Sequence, residues 1–518
     1  MPKFTLKNLT QYGVIDDVPA HELPENAFSS AQNIVFQDGR VKKAKGWAQV
    51  FGTNPVEPYW GLPFNNQTSL FWVYAGAAKI YATDMGGTHT NITRQVAAVD
   101  DDYAATLDQN WNGGILGGEI VILNNGIDGP QYWDGNPSNR CENLTYDAGN
   151  TWEDQGVTCS VMRPFKSWLF AIDVTKSGTR FPNLIKWSNS AAAGSIPTDW
   201  DETDATIDAG ENYLPDNVGF IVDGLPLKDT FVLYGEGAAT GVQHIGGRFI
   251  FRFYQLFADG IISRRCVKPI KDRHLVLSQN DLILHDGHRP ESIINKRRQS
   301  WLFNNIDQDN YERSFIVPNY REYEMMVCFP QTGSSVADMA LVWNYQDNTF
   351  SERELPNSNH IAYGVVDPGD ALNWDAQSST WDLSNSVWGE RTYNPTVFYP
   401  LICGTNFYQL DSTEQQAGVN MTAYIERLGL DFGTEQTKFI KRIIPKMSGT
   451  GSVTFSLATQ TYPGDSVTYS NYTFTPGADW KIDTRVSGKL IGYRVESTSN
   501  ITWELHSVEF EFELQGDR

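Results

Sequence analysis

One short pattern recurs along the chain and limits its fold more than any other feature. AGAAKIYATDMG (75–86), NGIDGPQYWDGN (125–136), SQNDLILHDGHR (278–289) and CGTNFYQLDSTE (403–414) each offer a turn, an apolar or aromatic pair, and an acid near the next turn. The acids are Asp84, Asp134, Asp286 and Asp411, and LVWNYQDNTFSEREL (341–355), with Asp347, is a cousin. SWLFAID, ending at Asp173, and FVLYGEG, ending at Gly237, fall in the gaps. Repeats of roughly 40–65 residues fit one propeller blade each. A four-stranded blade cannot bury both faces alone, so blades stack around an axis and protect each other's edges.

The expected fold class is all-β: a β-propeller core of about six to eight blades over 55–417, with a C-terminal β-sandwich. The bland reading is that Asp-Gly turns occur in every β-protein, because both residues tolerate positive φ; an array of sandwiches is then the competing architecture. Aromatic residues make up 13% of the chain, with 16 Trp, 23 Tyr and 44 Gly, which favours strands and tight turns. Runs such as FIFRFYQLF (249–257) and VEFEFEL (508–514) alternate at period two. From about Gly418 the spacing of ERLGLDFG, KFIKRIIPKMSG, SVTFSLATQTY and WELHSVEFEFEL reads as a small sandwich over 418–518. Residues 1–54 stand apart as an N-terminal docking segment whose basic group, Arg40, Lys42, Lys43 and Lys45, reads as a solvated edge that blocks strand pairing.

A formal charge of −22 argues against a groove that grips phosphates by counterion release. The five cysteines, Cys141, Cys159, Cys266, Cys328 and Cys403, are scattered and lack a CxxC pair, so buried thiols in a reducing compartment are expected. No apolar run approaches the ~18 residues of a membrane span, and the start has no signal-like core, so a soluble protein is expected.

Motifs for phosphate loops, dinucleotide folds, zinc peptidases and serine hydrolases are missing. His285 and His288 in HDGH read as a hairpin tip rather than a metal pair, and Asp100, Asp101 and Asp102 as a solvated loop. The expectation is no catalytic, cofactor or metal residues, no cofactor, and no enzymatic activity. Trp374, Trp381 and Trp388, seven apart in a loop rich in Ser, Asn and Asp, are the candidate interface; a sugar platform is the other reading.

LPENAFSSAQNIVFQDGRVKKAKGW (23–47), IKWSNSAAAGSIPTDW (185–200), VDGLPLKDTFVLYGEG (222–237), DLILHDGHRPESI (281–293) and SGKLIGYRVES (487–497) come in an order that resembles the tail nozzle or hub proteins of short-tailed bacteriophages. That family includes the packaged-DNA stabilisation proteins and, more distantly, the tail tubular B proteins. The resemblance implies a structural virion protein, a homo-oligomer forming a ring of six (a hexamer) below portal and adaptor. Such a ring extends and closes the DNA channel, with DNA passing through without tight binding. It docks a tail needle, fibres or tailspikes. It implies a place in the virion tail after assembly in the host bacterial cytoplasm, without membrane association of the isolated protein. The alternative function is a propeller-type glycosidase or depolymerase, or a carbohydrate-binding virion protein.

Overall fold

The computed structural model describes residues 2–65, 70–204, 206–214, 219–247, 249–366 and 398–516. Strand dominates, at 54% against 2% helix. Among the described residues, seven four-stranded antiparallel units follow one another along the chain. Blade one is Trp60–Asn65, Leu70–Ala75, Ile80–Asp84 and His89–Asn91; blade two is Asn112–Leu116, Ile120–Asn124, Gln131–Trp133 and Glu142–Asn143. Blade three is Val157–Phe165, Trp168–Lys176, Thr179–Trp187 and Gly210–Tyr213; blade four is Ile221–Leu227, Thr230–Gly235, Ala239–His244 and Phe251–Phe257. Blade five is Val267–Ile270, Arg273–Leu277, Leu282–His285 and Pro290–Ser292, and blade six is Phe315–Asn319, Glu324–Phe329, Ala337–Asn344 and Thr349–Ser358.

Blade seven closes the ring. Its strands His360–Val365, Phe398–Cys403 and Phe407–Leu410 take their fourth partner from the start of the chain, Trp47–Gln49. The first strand of each blade touches the first strand of the next, and that of blade seven meets that of blade one. The architecture is an all-β, seven-bladed propeller, within the six to eight blades expected.

The cores lie between blades, which explains the sequence of the second strands. LFWVYA, IVILN, WLFAIDV and EMMVCF are almost wholly buried because both faces pack against a neighbouring blade. Trp60, Phe71, Trp111 and Trp133 fill the space between blades one and two. Phe170, Trp187, Phe231 and Phe251 fill that between three and four. Tyr74, Leu401 and Phe407 join blade seven to blade one. FIFRFYQLF supplies the outermost strand of blade four, Phe251–Phe257, whose side chains are mostly half-buried and do not alternate strictly between core and solvent.

Beside the ring sit two facing sheets with one core of Phe28, Phe36, Ile425, Phe455, Tyr493 and Phe510. One sheet joins Ile34–Gln37, Arg40–Lys43, Trp503–Gln515, Thr437–Gly449 and Ile482–Gly488, with Lys3–Leu6 also on Trp503–Gln515. The other joins Ser30–Gln32, Ala423–Leu430, Leu490–Ser497, Val453–Gln460 and Thr468–Phe474. The expected 1–54 segment is therefore no separate unit: four of its strands complete the sandwich expected over 418–518 and a fifth completes the propeller expected over 55–417. Short strands such as Ser30–Gln32 cannot stand alone and take their backbone partners from the far end of the chain.

Candidate functional site

The propeller axis carries a belt of charged and polar contacts that ties the innermost strands together. Arg163, on blade three, donates Nε and Nη2 to the Asp223 carboxylate of blade four at 2.9 and 2.8 Å, and Nη1 to the Gly113 carbonyl of blade two at 3.0 Å. Asp223 also accepts the backbone N–H groups of Gly224 (2.8 Å) and Arg265 (3.0 Å). Arg265, at the entrance to blade five, donates to the Asn359 carbonyl at 3.2 Å and lies 5.7 Å from the centre of the Phe315 ring of blade six. His360 of blade seven stacks on Trp60 of blade one and accepts the Gly61 N–H at Nδ1, 3.3 Å away.

Local backbone features aim these groups. Gly113 has φ of 145°, and a Cβ there would sit 1.9 Å from the Ile122 carbonyl oxygen, so only glycine lets its own carbonyl reach Arg163. A register shift between Ile221 and Asp223 turns the carboxylate toward Arg163. Arg265 has φ of 67°, left-handed backbone that a non-glycine residue adopts at a cost when its surroundings enforce it.

The electrostatics are lopsided. Burial opposes ionisation of Asp223, but the Arg163 guanidinium and the two backbone donors outweigh it and hold the carboxyl below its ordinary range. Burial pulls the Lys268 ammonium of blade five down to about 8, and Arg163 adds to the shift. Burial and then Arg265 push His360 well below its usual value, leaving it neutral at pH 7. Arg163, Arg265 and Lys268 thus face one carboxylate, Asp223.

A second polar cluster joins propeller to sandwich. Arg298 bridges Asp16 (3.1 Å) and Glu352 (2.6 Å), and the Asp17 carboxylate accepts the N–H groups of Gln299 and Ser300 at the start of helix Gln299–Asn305. Asn33 donates Nδ2 to Glu354 (2.9 Å) and to the Thr422 carbonyl (2.7 Å), while its Oδ1 accepts the Glu354 N–H. Burial and then Asp411 raise Glu324 to about 8, against the pull of Arg353. A shallow depression lined by Ile15, Asp16, Asp17, Val18, Pro19, Ala20 and Ser29 opens beside this junction.

The residues singled out in the sequence fall elsewhere. Trp374, Trp381 and Trp388 lie outside the described residues. His285 is no exposed hairpin tip: it is buried and shares the Tyr234 hydroxyl, 2.7 Å away, with His274, while His288 is exposed. Asp100 and Asp102 hold Lys79, and Asp101 holds Arg94, so the acidic run is a set of ion pairs. In the basic group, Lys43 is buried and donates to the carbonyls of Glu414, Ser499 and Ile501 at 3.0–3.2 Å, a staple rather than a solvated edge. All five cysteines are buried. Among the described residues no three His, Cys, Asp or Glu side chains gather as a cage for a metal ion.

No family model and no curated protein matches the sequence. Several solved structures resemble it at low similarity. The extracellular domain of a one-component system of B. thetaiotaomicron is 11% identical with TM-score 0.32, covering 83% of this chain and 43% of that one. PorZ, a surface component of the type-IX secretion system of Porphyromonas gingivalis, is 8% identical with TM-score 0.35, covering 82% and 46%. The exo-β-1,3-galactanase of Phanerochaete chrysosporium is 6% identical with TM-score 0.26, covering 91% and 100%. The chain spans less than half the length of the first two. The expectation of no enzymatic activity is corrected by this company: glycoside hydrolases stand among the neighbours, and the ground for excluding catalysis falls away. At these similarities no residue, substrate or partner carries over.

Proposed function

We propose that this chain is a structural subunit of a short-tailed phage tail, forming a ring-shaped nozzle or hub that extends and closes the DNA channel below portal and adaptor. One observation carries the reading. Residues 23–47, the longest stretch on which the family resemblance rests, lace the two bodies together: Ser30–Gln32 enters one sandwich sheet, Ile34–Gln37 and Arg40–Lys43 the other, and Trp47–Gln49 closes the propeller. A subunit that bears the pressure of packaged DNA needs its bodies fixed to each other, and buried contacts at Arg298, Asn33 and Lys43 do this. Exposed Trp480, Tyr462 and Leu514 on the sandwich suit contacts with neighbouring subunits, adaptor, needle, fibres or tailspikes. The charge of −22 suits a wall along which DNA slides.

The second reading is a propeller-type glycosidase, depolymerase or carbohydrate-binding virion protein, and glycoside hydrolases among the structural neighbours lean that way. One pair of assays separates the two. Antibody labelling of particles from the producing lysate places the first reading at the tail vertex. Release of reducing sugar from host polysaccharide by the purified full-length protein, with no label at the vertex, supports the second and overturns the first.

A further inference from the structure

Three buried side chains form a closed hydrogen-bond chain between blades four and five. His274 and His285 are register partners on adjacent strands of blade five, and the Tyr234 hydroxyl of blade four lies 2.7 Å from His274 Nδ1 and 2.7 Å from His285 Nε2. All three are withdrawn from water, and the Phe257 ring of blade four covers His285 with ring centres 4.7 Å apart. The outer nitrogens fix where the protons sit. His274 Nε2 lies 3.0 Å from the Pro226 carbonyl, which can only accept, so Nε2 carries hydrogen and Nδ1 accepts the Tyr234 O–H. The Gly287 N–H can only donate and lies 3.1 Å from His285 Nδ1, so the hydrogen of His285 sits on Nε2 and points at the Tyr234 oxygen. Every donor then meets an acceptor, and both imidazoles are neutral.

An added proton has no place in this chain. On His274 Nδ1 it faces the tyrosine oxygen, which already receives His285, and leaves the tyrosine hydrogen without an acceptor. On His285 Nδ1 it meets the Gly287 N–H head on. Either way a donor is left unpaired beside a buried cation, and both are costly. The surrounding charges do not offset it. Asp286, next to His285, is exposed and accepts the His288 N–H, and Asp223 is committed to Arg163. On the other strands of the two blades Arg252, Arg273 and Glu291 are exposed, His244 packs on Trp168, and Lys268 bears on His360.

We infer that the triad is an acid-sensitive latch: while neutral it fastens blade five to blade four, and uptake of one proton from solvent by either imidazole releases the two blades from each other. Burial pushes His274 from an ordinary 6.5 down to about 4, and burial followed by the neighbouring His274 pushes His285 to about 4. The opened or unfolded chain takes up protons from about pH 6.5 downward while the closed one does not. The stability that the latch contributes is therefore whole above pH 6.5 and is lost as pH falls toward about 4. This inference is independent of the virion reading, since it rests on the ring alone.

Hydrogen exchange of the full-length protein, followed by mass spectrometry and corrected for the intrinsic rate at each pH, tests the latch. Between about pH 6.5 and about pH 4.5, protection of residues 230–235 and 273–285 is expected to fall about tenfold or more relative to that of residues 70–84 in blade one. Nitrogen-15 spectra of histidine-labelled protein are expected to show two uncharged imidazoles in the Nε2–H form at about pH 5.5. His285→Gln keeps an N–H donor toward Tyr234, and His274→Asn keeps an oxygen that accepts from it, with nothing left to titrate. The double variant is expected to lose the acid sensitivity of this segment. Equal loss of protection in blades one, four and five overturns the latch, as does an unchanged pH response in the double variant. Absence of the two neutral Nε2–H imidazoles overturns the proton assignment on which it rests. If the double variant does not fold, exchange and spectra of the wild-type protein still decide.

Discussion

Trp47 pairs with Leu410 across an antiparallel register, so a strand from the start of the chain completes a blade whose other strands come from near its end. Ring closure of this kind couples the ends of the fold: blade seven cannot be finished until the N-terminal strand arrives. Trp47 is buried against Phe315, Ile402 and Leu410. Trp47→Ala is expected to cost about 3–5 kcal/mol, the range for removing a large buried aromatic. Urea unfolding followed by far-UV circular dichroism measures it.

The Arg163–Asp223 pair makes a sharper case. Removing only Arg163 leaves a buried carboxylate with two backbone donors and no ion-pair partner, and Arg163→Met is expected to destabilise the fold by about 3–5 kcal/mol. Adding Asp223→Leu recovers a large part of that loss, because two apolar groups replace two charges. A double-mutant cycle in denaturant checks the coupling.

Glu324 gives a pH dependence of known sign. Its carboxyl rises from an ordinary 4.5 to about 8 in the folded state, through burial first and Asp411 second. The folded state therefore holds a proton that the unfolded state has released, and this group's contribution to stability falls as pH rises from about 4.5 to about 8. Glu324→Gln removes the dependence. The variant is expected to match the wild type near pH 4.5 and to exceed it in denaturation midpoint at pH 8.5.

Asn33, itself buried, links sandwich to propeller through half-buried bonds to Glu354 and also bonds the Thr422 carbonyl. Asn33→Ala leaves the Glu354 N–H and the Thr422 carbonyl without this partner, at a cost of about 1–3 kcal/mol in all, while the Glu354 carboxylate keeps Gln32 and Gln416. Its left-handed φ of 54° adds strain that alanine bears less well. Limited proteolysis is expected to cut the variant first between Gln37 and Trp47.

Much of the propeller was legible in the sequence, in an identifiable place. The four hairpins at 75–86, 125–136, 278–289 and 403–414 all fall on the turn into a third strand and that strand itself, in blades one, two, five and seven. The cousin at 341–355 sits one strand later, on the outer hairpin of blade six, and SWLFAID and FVLYGEG are second strands. Hairpins are local, so turn chemistry and apolar pairing reveal them. Ring closure by Trp47–Gln49 and the sandwich strands at 3–43 were hidden, because their partners lie hundreds of residues away and alternation names no partner. The axial belt was hidden too: Arg163 in VMRPF reads as an interruption of a strand, and Arg265 in SRRC as part of a loop. His285 was misplaced because Asp-Gly beside it marks a turn, while the neighbouring Tyr234 that buries it is distant in sequence.

The measurement that bears most directly on the central claim is a three-dimensional reconstruction of the tail of particles that carry this protein. The proposed reading expects six copies in a ring beneath the portal and adaptor, each a seven-bladed propeller with its sandwich, around an open or plugged DNA channel. A tail whose ring is built wholly of other chains, with this protein absent or held only on a peripheral appendage, contradicts it.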